Sequence, residues 1–101
     1  MSATITFNNT DLASRSAAAK KRAEIERLLV TAINDTVISI DLCGVESISG
    51  SYADELFGVL AEKLGEQAFV KHFKFINAKN HCLTVIAECI ITRTSTGSEA
   101  A

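Results

Sequence analysis

The chain has 101 residues, a length that suits one domain built around a single hydrophobic core. Hydrophobic residues make up 48% of the chain and charged residues 22%, the balance of a globular protein and not of a disordered one. Ten lysines and arginines against twelve aspartates and glutamates give a net charge of −2. Because affinity for nucleic acid comes largely from cations that neutralise phosphates, this charge argues against general binding of DNA or RNA.

The first part of the chain has the pattern of a strand, a helix and a second strand. Residues 3–7 alternate and are rich in β-branched side chains, which predicts a short strand, and turn-forming residues 8–11 follow. Over residues 14–34 the apolar side chains recur at helical spacing, which predicts a helix. They are Ile25, Leu28, Leu29, Ala32 and Ile33. Residues 36–42 have the pattern of a strand buried on both faces or nearly so.

The second part of the chain continues the alternation of strands and helices. Residues 45–51 are predicted to be a Ser/Gly turn region, and residues 51–64 a helix with a continuous apolar face. The side chains of that face are Ala53, Leu56, Phe57, Leu60 and Leu64. Residues 73–76 are predicted to be a third strand, and Asn80 to open a third helix. Residues 94–101 are small and polar, so we expect a flexible, frayed tail.

This order of elements predicts an α/β domain whose strands are parallel and joined by right-handed crossovers. We expect a small, mostly parallel sheet of about four strands with covering helices, in a single domain over residues 1–93. The first residues show no basic segment followed by a long apolar run, and the longest apolar stretches are too short to span a bilayer. We therefore expect a cytoplasmic protein with neither a signal peptide nor a membrane partner.

The cysteines and histidines do not predict a metal site. Cys43, Cys82 and Cys89 fall inside apolar runs, and with His72 and His81 they lack CxxC or HxxxH spacing, so core positions are favoured for the cysteines. A nucleophile made of Cys43 and a histidine stays open as an alternative, without an orienting group or an oxyanion site. Glycine-rich phosphate motifs are also missing from the sequence, so we expect no nucleotide cofactor. No catalytic constellation can be assembled from the candidate residues, so we expect no enzymatic activity.

The most specific segment runs over residues 41–58. It has the pattern of a strand that ends in an acidic residue, a tight Ser/Gly loop and the start of a helix. Ser49 and Ser51 are candidate N-caps of that helix. Asp54 and Glu55 lie in its first turn, where carboxylates complement the helix dipole. The same helix start would stabilise an added phosphate, so Ser49 and Ser51 are also candidate phosphorylation sites.

The run D-L-x-G-V-E-S-I-S-x-S-x-A-D-E-L-F-G in this segment resembles the STAS-like domains of unknown function, relatives of bacterial anti-sigma-factor antagonists. The pair Ser14-Arg15 before an Ala-rich helix resembles the same family, and the likeness covers residues 14–92. The resemblance implies a compact three-layer signalling domain, with a serine that a partner kinase phosphorylates in the loop before the helix. Without gaps, that serine falls on Gly50, which has no hydroxyl, and Ser51 matches the neighbouring serine.

We therefore predict a regulatory protein-interaction module that docks a signalling partner. The resemblance suggests a bacterial protein and a partner similar to a histidine-kinase-type ATPase. The predicted partner-binding residues surround the start of the helix: Ser49, Ser51, Tyr52, Asp54, Glu55 and, further out, Arg15.

Two other functions and the role of one basic segment stay open. A small-ligand sensor would hold an anionic group at the same helix N-terminus. A structural homodimer would join the exposed sides of Tyr52 and Val59, and the sequence leaves the oligomeric state undecided. The basic residues at the start of the first helix either form a solvated face or meet a partner or an acidic group such as Asp54. They are Arg15, Lys20, Lys21 and Arg22.

Overall fold

A computed structural model of the protein describes residues 2–31 and 36–99. Its strands are β1 (Ser2–Thr6), β2 (Asp11–Leu12), β3 (Val37–Asp41), β4 (Ser47–Ile48) and β5 (Phe73–Ile76). β1, β3 and β5 form a parallel sheet with β3 in the centre. Ile40 of β3 aligns with Ile5 on one side and with Phe75 on the other. The predicted α/β class, the mostly parallel sheet and the three predicted strands are confirmed.

A second, smaller sheet was not predicted from the sequence. Asp11 of β2 aligns with Ser47 of β4, and Leu12 aligns with Ile48 in the same parallel pair. The expected sheet of about four strands is thus a sheet of three and a separate pair. β4 lies within residues 45–51, which we predicted to be turn throughout. A strand of two residues is too short to show the alternation on which a sequence prediction depends.

The helices are α1 (Arg15–Thr31), α2 (Gly50–Ala53), α3 (Val59–Leu64), α4 (Glu66–His72) and α5 (Asn80–Glu99), and a π-helical segment covers Asp54–Gly58. α2, the π segment and α3 follow one another directly and together form the central helix, residues 50–64. Its predicted apolar face is confirmed, because Ala53, Leu56, Phe57 and Leu60 are all buried. α1 and α5 flank the central helix, and both contact its π segment.

All of the buried side chains of the main sheet lie on one face. Ile5, Ile38, Ile40 and Phe73 are buried towards the helices, whereas the alternating positions at Thr4, Thr6, Val37 and Lys74 are exposed. The described part of the chain therefore has two layers, helices on sheet, and not the three layers that the resemblance implies. β3 is correspondingly buried on one face only, which corrects the prediction of burial on both.

Two helical segments differ from the sequence prediction. α4 was not predicted; it carries Phe69, whose ring stacks on Phe73 at 4.7 Å between centroids, directly before β5. α5 begins at Asn80 as predicted but continues to Glu99, so the helix does not end at residue 93, where we placed the domain boundary. The flexibility of residues 94–101 stays a prediction. The predicted helical positions 32–34 lie outside the described residues. Within residues 2–31 and 36–99, no helix is long and apolar enough to cross a membrane.

Candidate docking site

The central helix begins with a cap made by Ser49. The Oγ of Ser49 accepts a hydrogen bond from the backbone N–H of Tyr52 at 3.0 Å, which satisfies one of the free amides at the helix start. The same Oγ donates to the backbone carbonyl of Ala13 at 3.0 Å. The predicted capping role of Ser49 is confirmed, and its hydroxyl is engaged in two directions.

The loop before this cap is fixed to the segment that precedes α1. The backbone N–H groups of Glu46 and Ser47 donate to the carbonyl of Thr10, at 2.7 and 3.2 Å, and the N–H of Ser49 donates to the carbonyl of Leu12 at 2.8 Å. The hydroxyl of Ser47 donates to Asp11 at 2.6 Å. Ser47 is exposed, because β4 turns its side chain towards Asp11. The backbone of the loop is therefore held in one place.

Gly50 and Ser51 form the exposed part of this helix start. Ser51 lies in the first turn and does not cap the helix, since Ser49 holds that position. Within residues 2–31 and 36–99, no hydrogen bond to the Ser51 hydroxyl occurs. No atom lies within 4 Å of the position that a Cβ at Gly50 would occupy. We call Ser49, Gly50 and Ser51, together with Arg15, the docking surface.

Tyr52 lies behind this surface. Its side chain is only 4% exposed, and its ring meets that of Phe7 edge-on with 6.5 Å between the centroids. Burial raises the pKa of the Tyr52 phenol above its ordinary value. Tyr52 is thus a core residue and not the exposed contact predicted from the sequence, and the proposed dimer surface of Tyr52 and Val59 loses its principal member.

Asp54 and Glu55 do not form a free acidic face, because arginines from both flanking helices bind them. Arg93 of α5 binds Asp54 through Nε at 2.9 Å and through Nη2 at 2.8 Å. Arg15 of α1 lies 3.4 Å from Asp54 and 3.0 Å from Glu55. Arg22 donates from Nη1 to both the carboxylate and the backbone carbonyl of Glu55. We call these five residues the arginine–acid cluster.

The cluster stabilises the charged forms of its carboxylates. Hydrogen bonds, first from Arg93 and then from Arg15, lower the pKa of Asp54 below its ordinary value. Hydrogen bonds from Arg22 and Arg15 lower the pKa of Glu55 in the same way. Both carboxylates are therefore ionised near neutral pH. Arg15 and Arg22 of the basic start of α1 thus meet acidic groups, one of the alternatives that the sequence left open.

The cluster lies where the central helix contains a π turn and a glycine. Asp54 and Glu55 lie in the π segment, a local widening that is frequent at functional sites. Gly58, one turn later, allows α5 to approach closely. A Cβ at Gly58 would lie 2.9 Å from Oδ1 of Asp54 and 3.2 Å from Cγ of Arg93. A side chain at Gly58 would therefore displace Asp54 or Arg93 from their present positions.

We expect Gly58→Ala to destabilise the domain by about 1–2 kcal/mol, because the new methyl group displaces the Asp54 carboxylate from Arg93. This loss exceeds the gain of about 1 kcal/mol that alanine normally brings to a helix interior. Gly50→Ala is the matched control, since that site is open. Its free energy of unfolding should stay within about 0.5 kcal/mol of wild type in urea titrations. A Gly58→Ala domain as stable as wild type would contradict this account of the glycine.

The remaining candidates from the sequence lie apart from the cluster. Cys82 is buried and Cys89 half-buried, and burial raises the pKa of both thiols. Cys43 is exposed, which corrects its prediction as a core residue; it follows β3 in a turn, where its N–H donates to Asp41. Among the described residues, no group of three or more histidine, cysteine, aspartate or glutamate side chains could hold a metal ion.

Arg93 is the member of the site that the sequence analysis did not identify. It follows Cys82, Ile86 and Cys89 at helical spacing, so a cation continues an apolar stripe. Arg22 shows the same signal on α1, after Ala18 and before Ile25. A charged residue on a buried stripe indicates an internal ion pair, because a buried charge requires a partner.

The comparisons with known proteins concern most of the region just described. A family model described as the STAS-like domain of unknown function (DUF4325) matches residues 17–82, which is more than half of the chain. The match includes α1, the main part of the sheet and the whole central helix. No curated protein and no solved structure matches the sequence.

Proposed function

The chain belongs to the family of STAS-like domains of unknown function, and we propose that it is a regulatory protein-interaction module that docks a signalling partner through its docking surface. The observation that carries this proposal is the exposed Ser51, whose free hydroxyl stands on a fixed backbone. By resemblance to the anti-sigma-factor antagonists, the proposed partner is a histidine-kinase-like ATPase or another signalling protein in the bacterial cytoplasm.

The rigidity of the docking surface supports a binding role. The Ser49 cap, the bonds to residues 10–13 and the ion pairs of the π segment hold the helix start before any partner arrives. A surface that is already ordered loses little conformational entropy on binding. The same arrangement does not support catalysis, because the acids that follow Ser51 are bound to arginines and offer no base to activate its hydroxyl.

Ser51 suits reversible control by phosphorylation better than Ser49 does. A phosphate on Ser49 would disrupt both the helix cap and the bond to Ala13. A phosphate on Ser51 would disrupt neither, and the free N–H groups of the helix start would stabilise its charge. Ser51 precedes Asp54 by three residues and Glu55 by four, so the phosphate would compete with both carboxylates for Arg15. The Arg15 side chain is 53% exposed and therefore free to move towards it.

The test compares the wild-type domain with Ser51→Asp and with Ser95→Asp, a matched control at an exposed serine near the end of α5. Each is used as bait in native lysate, and captured proteins are quantified by mass spectrometry. We expect wild type and Ser95→Asp to retain the same ATPase or signalling protein, and Ser51→Asp to retain about 10-fold less, which corresponds to about 1.4 kcal/mol. Intact-mass measurement then shows whether Ser51 carries a phosphate.

The thermal midpoints of the three baits should agree, so that a loss of capture reports on the surface and not on folding. Identical captured proteins from all three baits would refute docking through Ser51. Gly50→Ser adds an informative variant, because it places a hydroxyl where the resemblance puts the phosphorylated serine, in open space. We expect it to keep the partner and to gain a phosphate at residue 50 when the partner is a kinase.

A further inference from the structure

A cleft of about 350 Å³ opens between the carboxyl end of β1 and the first turns of α1. Its floor is apolar and comprises Phe7, Leu12 and Tyr52, and its rim includes Asn8, Asn9 and Lys20. The volume is at the lower end of the range for small-molecule sites, and an apolar floor with a few polar groups is their usual construction.

The floor of this cleft contains one polar group without a protein partner. No hydrogen bond to the Tyr52 hydroxyl occurs within residues 2–31 and 36–99. A phenol keeps its proton at neutral pH, so this hydroxyl can donate a hydrogen bond. Although the ring is buried, the hydroxyl is not among the buried side-chain atoms that lack a partner in the described part of the chain, so it is accessible from the cleft. A ligand in the cleft can therefore accept its hydrogen bond in place of water.

The rim of the cleft favours an anion. Lys21 is already engaged, since its Nζ lies 3.5 Å from Glu24 and 4.9 Å from the centroid of the Phe7 ring. Lys20 is exposed and has no ion pair within the described residues. The side chains of Asn8 and Asn9 are exposed and make no hydrogen bond within the same residues. One free ammonium group and two free amides therefore border the cleft beside the ion-paired Lys21 and Glu24, and the half-buried Phe7 is the aromatic ring accessible at its floor.

We propose that this cleft binds a small anionic ligand with a planar, apolar body, whose phosphate or carboxylate meets Lys20 while its ring lies against the half-buried Phe7. The amides of Asn8 and Asn9 hydrogen-bond the anion, and the Tyr52 hydroxyl donates to a polar atom of the ligand. The site is separate from the docking surface. If no ligand binds in the cleft, the docking proposal is unaffected, and a failure of the docking proposal would likewise not affect this one.

Phenyl phosphate is the probe, because it combines a single ring with a dianion. We would titrate it into the ¹⁵N-labelled domain and follow backbone amide shifts by NMR. Saturable shifts are expected at Phe7, Asn8, Asn9 and Lys20. Lys20→Ala should weaken binding about 5-fold, the effect of losing one exposed charged contact. The control Lys74→Ala, an exposed lysine of the sheet's open face, should bind like wild type.

Inorganic phosphate and phenol, titrated separately, test whether both halves of the ligand matter, and each should bind more weakly than phenyl phosphate. Shifts centred on Gly50 and Ser51 would assign the anion to the helix start and overturn the proposal. Equal affinity in wild type and Lys20→Ala, or for phenyl phosphate and inorganic phosphate, would also overturn it. So would the absence of saturable shifts at the four amides.

Discussion

Replacing Phe57 by alanine is expected to lower the free energy of unfolding by about 3–5 kcal/mol, the largest effect of any substitution considered for this domain. Phe57 is fully buried in the central helix, and its ring meets Phe75 of β5 edge-on at 5.1 Å between centroids. Truncation would therefore remove both the buried area and the aromatic contact between the helical layer and the sheet. Since the free energy of unfolding of a small domain is about 5–15 kcal/mol, the variant should be only marginally stable.

The measurement is urea unfolding followed by circular dichroism. Val30→Ala is the control, because Val30 is 84% exposed and its loss should change stability by less than about 0.5 kcal/mol. Phe57→Leu should be intermediate, since leucine retains part of the buried volume. A Phe57→Ala domain that unfolds within 1 kcal/mol of wild type, about the typical effect of any substitution, would mean that the helices and the sheet do not pack as described.

The second large effect is expected at the pair of Asp54 and Arg93. Asp54→Ala should destabilise the domain by about 1–2 kcal/mol, because the partly buried Arg93 loses the carboxylate that holds two of its nitrogens and keeps only the hydrogen bond from Nη1 to Glu62. Arg93→Ala should have a similar effect. The loss of unfolding free energy in the double variant should be smaller than the sum of the two single losses by about 1 kcal/mol or more, since the residues contact each other directly. Exact additivity would show that the pair contributes nothing of its own.

The same pair makes stability depend on acid pH. An acid whose pKa is lower in the folded than in the unfolded state stabilises the fold above its unfolded pKa, and that stabilisation is lost as pH falls through the folded value. The ordinary values are 3.8 for Asp54 and 4.5 for Glu55, and both are lowered by the arginines. Stability should therefore fall as pH drops below about 4, and more steeply in wild type than in the double variant.

An exposed ion pair provides the control for this prediction. Glu46 lies 3.7 Å from Lys79, with side chains 64% and 46% exposed. Because solvent screens such pairs, Glu46→Ala should change the free energy of unfolding by less than about 0.5 kcal/mol. If Asp54→Ala and Glu46→Ala lowered the free energy of unfolding equally, burial of the arginine–acid cluster would not account for its contribution to stability.

The fold could be predicted from the sequence where hydrophobic periodicity is long. The central helix and the strands of the main sheet were predictable for that reason. β2 and β4 could not be predicted, because each has only two residues and their pairing depends on backbone contacts between distant segments. α4 was missed since seven residues give only two turns of pattern. The three layers came from the resemblance alone, and the exposed alternate positions of the sheet overturn them.

The candidate site was predicted in part. Ser49 was identifiable as a cap because capping is a local interaction. The exposure of Tyr52 was wrong, although its spacing of four and eight residues from Leu56 and Leu60 was a signal of burial. The cations of α1 could be recognised as unusual on an apolar stripe, but only the packing of three helices shows that Glu55 and Asp54 are their partners.

The pairing of β2 with β4 has a consequence for when the docking surface forms. The two strands are 36 residues apart at Asp11 and Ser47, with α1 and β3 between them. Closing a loop of that length has an entropic cost that two backbone pairs cannot offset alone, so the pairing should form late, after the helices and the main sheet. A nascent or partly unfolded chain would then lack the anchored loop before Ser49. Binding at Ser51 would thus distinguish finished copies of the domain from incomplete ones.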